Sequence, residues 1–168
     1  MWAGKLVNRS GGMVPPKIRF VLKREELRLL LTKYGRRDDG MKKLDREFYN
    51  RDSILVAREL LGKVLVHQWE GQRVSARIVE AEAYMGLEDK AAHSYGGRRT
   101  PRVEVMYGDP GFAYIFPIYG MYFCFNVVTR EKGVPQAVLI RGVEPLEGIR
   151  EMVEKRYGKP YEELSKSQ

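Results

Sequence analysis

The sequence predicts an α+β fold, one domain organised around a mainly antiparallel sheet flanked by helices. Three observations predict it. The runs "KVLVHQW" and "RVSARIVEAEAY" alternate in character and are separated only by Glu70-Gly71-Gln72, the signature of a β-hairpin. The stretch from Pro110 to Thr129 carries no charge, is rich in Tyr, Phe, Ile and Val, and is interrupted by Pro117 and Gly120. Helical spacing of apolar residues appears on either side of these strands.

The elements follow in order. Residues 1–43 form a basic N-terminal extension, in which "IRFVLKREELRLLLTKYG" reads as an amphipathic helix ending at Gly35, and "RRDDG" as a polar turn. Met41 is a plausible internal start, and a self-sufficient unit covers residues 44–168. Asp52 is placed to cap a helix through Leu61, with Ile54, Ala57 and Leu61 inward and Gly62 as its stop. The hairpin comes next, then a Gly-rich loop from Met85 to about Arg102. The uncharged stretch gives two strands with a break near Pro117, and "QAVLIRGV" gives another. A last helix starts at Pro145, turns Leu146, Ile149, Met152 and Val153 inward, and ends at Gly158.

Composition removes several function classes. The single cysteine rules out an internal disulfide and points to a reducing compartment. Pro110–Thr129 approaches membrane-spanning length, but its Pro and Gly interruptions fit strands rather than a spanning helix. The N-terminus lacks an apolar block of signal-peptide length. Net charge is +8, yet of the 30 Lys+Arg and 22 Asp+Glu, residues 1–43 hold 12 and 4, leaving 18 of each in the rest. Any anion-binding surface on the body is therefore local, and "GGRRTPR", with Arg98, Arg99 and Arg102, is the one dense cluster.

Chemistry concentrates in "RIVEAEAY". On a regular strand Ile78, Glu80, Glu82 and Tyr84 share one face, with Val79, Ala81 and Ala83 on the other. Two buried carboxylates at this spacing would repel and hold at least one proton more tightly, which suits general acid–base work. A solvated edge-strand face is the other reading. His93, in "KAAHSYGG", is a loop histidine open to either a surface or a functional role. His67 and Cys124 read as structural. Two separated histidines do not make a zinc site, and Glu80, Glu82, Glu88 and Asp89 give only a weak magnesium signal. Phosphate-binding and dinucleotide glycine motifs are absent from the sequence.

"RIVEAEAYMGLEDKAAHSYGGRRTPR", "IYGMYFCFN" and "VLIRGVEPLEG", in this order from about Leu44 to Glu151, resemble the alkyladenine (3-methyladenine, or methylpurine) DNA glycosylase family. The resemblance implies a curved sheet in a single domain. It implies a monofunctional base-excision-repair enzyme that flips an alkylated, or deaminated, purine from duplex DNA and hydrolyses its N-glycosidic bond. By the same resemblance Glu82 is the general base, Tyr84 and His93 are walls around the flipped base, and Phe116 stands where relatives carry tyrosine. Tyr119 is the wedge left in the helix, Asn126 the filter against guanine, and Arg141 a phosphate contact. With duplex DNA as the partner, the basic cluster Arg98, Arg99 and Arg102 is expected to contact it. No metal or cofactor is implied, and the partner is duplex DNA with damaged purines, met by a monomer in the cytoplasm (nucleoid-associated) or nucleus. Relatives continue beyond the equivalent of Gln168, so the domain is expected to lack the family's C-terminal region. That motivates a second reading, a damaged-DNA-binding relative without turnover. A metal-dependent nuclease using Glu80, Glu82 and Asp89 is a third.

Overall fold

The computed structural model describes residues 42–120 and 122–165; the amphipathic segment ending at Gly35 and the possible start at Met41 lie outside them. Four α-helices and five strands follow in the order α1 (Arg46–Tyr49), α2 (Ser53–Leu60), β1 (Val64–Trp69), β2 (Gln72–Tyr84), β3 (Ala113–Ile118), β4 (Tyr122–Thr129), β5 (Gln136–Glu147), α3 (Ile149–Tyr157) and α4 (Tyr161–Ser165). All strand pairings are antiparallel, and the spatial order is β1-β2-β5-β4-β3. This is the α+β architecture the sequence predicts. None of the described helices is long and apolar enough to cross a membrane.

Local chemistry explains most element boundaries. Asp52 caps α2 by accepting from Ile54 N at 2.9 Å. The short helix α1, absent from the sequence reading, is capped by Asp45, which accepts from Phe48 N. The β1–β2 turn uses Glu70 and Gly71, both at positive φ, as a tight hairpin requires. Gly158, at φ +65, closes α3.

Side chains sort to two sides of the sheet. On one side α2 packs Val56, Ala57 and Leu60 against Val74, Ala76, Ile78, Val127, Val138 and Val143. Burial of each large aliphatic here is worth about 1.5–3 kcal/mol. On the other, the loop between β2 and β3 lays Val103, Met106 and Tyr107 over Tyr114, Val128 and Ala137. The sheet is thus a wall between a helical layer and a loop layer.

Four expectations are corrected. Val56, Ala57 and Leu60 face inward from α2, whereas Ile54 and Leu61 are exposed; Leu61 has extended backbone angles and has already left the helix. The break falls at Tyr119-Gly120 rather than Pro117, because β3 borders the described sheet and an edge strand tolerates proline. The last helix begins at Ile149, not Pro145. Strand β5 continues to Glu147 because the first half of β2 offers it a partner, with Arg73–Glu147 at 2.6 Å and Arg77–Glu144 at 3.3 Å bridging the pair. Leu146 and Ile149 are consequently exposed, while Met152 is buried and Val153 packs on the core. Finally, β2 does not alternate throughout. An irregularity between Ile78 and Glu80 leaves Val79 exposed and puts Ile78 in the core beside Ala81 and Ala83, the set it was expected to oppose.

Candidate active site

The register of four strands builds one transverse row. Glu82 of β2 faces Leu139 of β5, Leu139 faces Asn126 of β4, and Asn126 faces Tyr114 of β3. Directly opposed residues in an antiparallel pair share a face. The carboxylate, the amide and the phenol therefore stand on the loop side of the sheet. Tyr84 follows one row along, opposite Ala137, and Phe116 pairs with Cys124 in the other direction.

Each side chain is fixed differently. Asn126 is buried, and its Nδ2 donates to Tyr114 O at 3.0 Å, which sets the orientation of the amide. The loop that carries His93 is pinned by its neighbours: Ala92 and Ser94 are buried, and Ser94 Oγ donates to Pro135 O. Gly86 at φ +84 lets that loop approach the same carbonyl, where a Cβ would sit 3.1 Å from Pro135 O. His93 Nδ1 consequently lies 2.7 Å from Tyr114 Oη, and its ring meets Phe116 edge-on at 4.6 Å between centroids. Arg102 lies over the Phe116 ring at 5.1 Å.

Glu82 and Glu80 converge on one cation. Arg141 Nη1 donates to Glu82 Oε2 at 2.6 Å, and Arg141 Nε donates to Glu80 Oε1 at 3.1 Å. Both carboxylate side chains are 39% exposed. The burial on which the sequence reading made their proton affinity depend is replaced by partial exposure and a shared guanidinium. The bond to Glu82 is the main reason the Arg141 pKa is raised. Burial, then the neighbouring Glu82 charge, pushes the Tyr84 hydroxyl up. Burial, then Arg102 and Arg98, holds His93 below the ordinary histidine value, so its ring is neutral at physiological pH.

Three predicted residues stand elsewhere. Tyr119 is 79% exposed at the β3–β4 tip, where Tyr119 and Gly120 are both left-handed. Arg99 is held by Glu104 through Nε at 2.8 Å and Nη2 at 2.6 Å and lies over Tyr107. Arg98 is exposed on the same loop. The sequence reading missed Tyr114. Its one signal was its place two residues before Phe116 in an alternating strand, which puts both rings on one face. A cavity of about 140 Å³, lined by Leu44, Tyr49, Val66, Phe125 and Ile140, opens on the α2 side, opposite Glu82.

Comparison with known proteins converges on one family. The model of the methylpurine-DNA glycosylase family matches residues 47–167. A protein of Desulfitobacterium hafniense provisionally named 3-methyladenine DNA glycosylase is 73% identical over 128 residues, which are 76% of this chain and 63% of that one. Proteins of the same provisional name from Clostridium acetobutylicum and Clostridium perfringens are 59% and 58% identical, over 75% and 73% of this chain and 62% and 60% of theirs. The chain spans about three-fifths of the length of these relatives. The matched residues include every member of the transverse row and the loop that carries His93, and on that extent of likeness the chain belongs to the methylpurine-DNA glycosylase family.

Proposed function

We propose that this chain excises alkylated purines, and hypoxanthine among deaminated ones, from duplex DNA as a monofunctional glycosylase. The observation that carries the reading is the row itself. A half-exposed carboxylate, Glu82, shares a face with a buried, oriented amide, Asn126, and with an aromatic group built from His93, Tyr114 and Phe116.

In this reading the damaged nucleotide leaves the stack because C1′ is inaccessible within the duplex, at a cost of a few kcal/mol. Tyr119, exposed at a tip where it and Gly120 are both left-handed, fills the vacancy and restores stacking. Tyr84 and His93 flank the flipped base, and Phe116 extends the aromatic wall. Neutral His93 adds no charge repulsion against a cationic alkylpurine. Asn126 refuses the two-position amino group of guanine, since an amide already bonded to Tyr114 O is not free to turn away. Glu82 takes a proton from water as it attacks C1′ and stabilises the oxocarbenium-like sugar, while the purine departs with the bonding electrons. Arg141 holds Glu82 and reaches the phosphate of the flipped nucleotide, with Arg98 and Arg102 as further backbone contacts. Arg99, already committed to Glu104, contributes through that pair's position rather than as an unengaged cation.

A nuclease would ask Glu80, Glu82 and Asp89 to meet around a metal. Glu80 and Glu82 hold Arg141 instead, and Asp89 accepts from the backbone of Met85 and Ala91. The test is excision from a duplex bearing one hypoxanthine or ethenoadenine, in EDTA, followed by alkali. Cleavage only after alkali supports the glycosylase. Binding without cleavage supports the non-catalytic relative, and cleavage abolished by EDTA supports the nuclease.

A further inference from the structure

We infer that Glu80 is a positioning residue, whose task is to hold the Arg141 guanidinium against Glu82. The inference deepens the glycosylase reading and rests on it for its activity arm.

The local backbone is built for this contact. The irregularity at Val79 interrupts the alternation of β2, so that Ile78 goes to the core while Glu80 and Glu82 both reach Arg141. Bulges re-aim side chains in this way, and without one the core residue and the first carboxylate would share a face. Gly142, opposite Glu80 in register, leaves the room: a Cβ there would lie 3.2 Å from both Cβ and Oε2 of Glu80.

The electrostatics favour a positioning role over a stabilising one. Arg141 is 45% exposed, and one exposed ion pair holds a long side chain weakly. Two carboxylates from one strand, on Nε and on Nη1, fix both the direction and the plane of the guanidinium. Neither bond uses Nη2, which on the proposed reading takes a phosphate oxygen. The trio carries two negative charges and one positive, so a net negative charge remains for the developing cationic sugar. Tyr84 is the neighbour that senses this cluster, its hydroxyl pushed up by burial and then by the Glu82 charge.

The test has two arms on the full chain. In nitrogen-15 NMR, the Arg141 Nε–H signal of the wild type is expected to be slow-exchanging. It should lose that protection in Glu80→Gln and keep it in Glu80→Asp. An unchanged Arg141 signal in Glu80→Gln overturns the inference. In single-turnover excision of ethenoadenine, Glu80→Gln is expected to be slower by about tenfold, as for a small displacement of a reacting group. In an Arg141→Ala background the same change should have no further effect. An equal loss in both backgrounds means that Glu80 acts without Arg141 and overturns the inference. Excision that survives Glu82→Gln strikes the glycosylase reading instead, and leaves the NMR arm to decide the role of Glu80.

Discussion

Glu82 and Arg141 form a 2.6 Å ion pair across β2 and β5, and Glu82 lies in the same transverse row as Asn126. The pair has a consequence for substrate choice. With the carboxylate held on one strand and the amide two strands away, the proposed reading has a base enter between them, read at one edge while its sugar meets the other. On that proposal, specificity and chemistry depend on the same sheet geometry.

Asn126→Ser tests the reading edge. Loss of the Nδ2 bond to Tyr114 O should lower stability by about 1 kcal/mol. Release of normal guanine should rise, measured as free base from undamaged duplex. Unchanged guanine release would show that Asn126 is a packing residue only.

Tyr119 is exposed and left-handed, so its ring adds nothing to the core. Tyr119→Ala should leave the thermal midpoint unaltered. Its affinity for a duplex with an abasic-site analogue should fall by about tenfold, because base–aromatic stacking is worth about 1–3 kcal/mol. Equal affinity in a binding titration would remove the wedge role.

His93 gives a pH dependence with a definite sign. Its pKa is lowered in the folded state, chiefly by burial and then by Arg102 and Arg98. The unfolded chain therefore takes the proton first as pH falls. The stability His93 contributes is present above the ordinary histidine value of 6.5 and is lost below it. The thermal midpoint of the wild type should drop more than that of His93→Gln as buffer is taken from about pH 8 to about pH 5.5. Parallel curves would contradict the assignment.

Gly148 joins β5 to α3 at φ +72, and a Cβ there would fall 2.5 Å from Val74 Cγ1 and 3.0 Å from Arg73 O. Gly148→Ala should therefore cost about 1–3 kcal/mol, through strain and overpacking, read from urea unfolding. A stability equal to wild type would mean that this junction is looser than its backbone implies.

Local signals in the sequence were reliable where local forces decide the outcome. The Asp52 cap, the Glu70-Gly71 turn and the end of α3 at Gly158 could all be read from a few adjacent residues. What escaped depends on partners distant in the chain. Strand β5 runs through Pro145 because β2 is there to receive it. The irregularity at Val79 is invisible to an alternation count, since a slip of one residue leaves composition untouched and reverses every following face. Tyr114 looked like one aromatic among several until β3 was set beside β4 and His93 was folded onto it. The pairing of Glu80 and Glu82 with Arg141 bridges 61 and 59 residues, beyond any local motif.

The most direct measurement is the single-turnover excision rate of Glu82→Gln on an ethenoadenine duplex, set beside its affinity for an uncleavable abasic analogue. Loss of the proton acceptor should slow excision by at least about a hundredfold, while DNA affinity stays near that of the wild type. Excision at the wild-type rate in that variant would contradict the account.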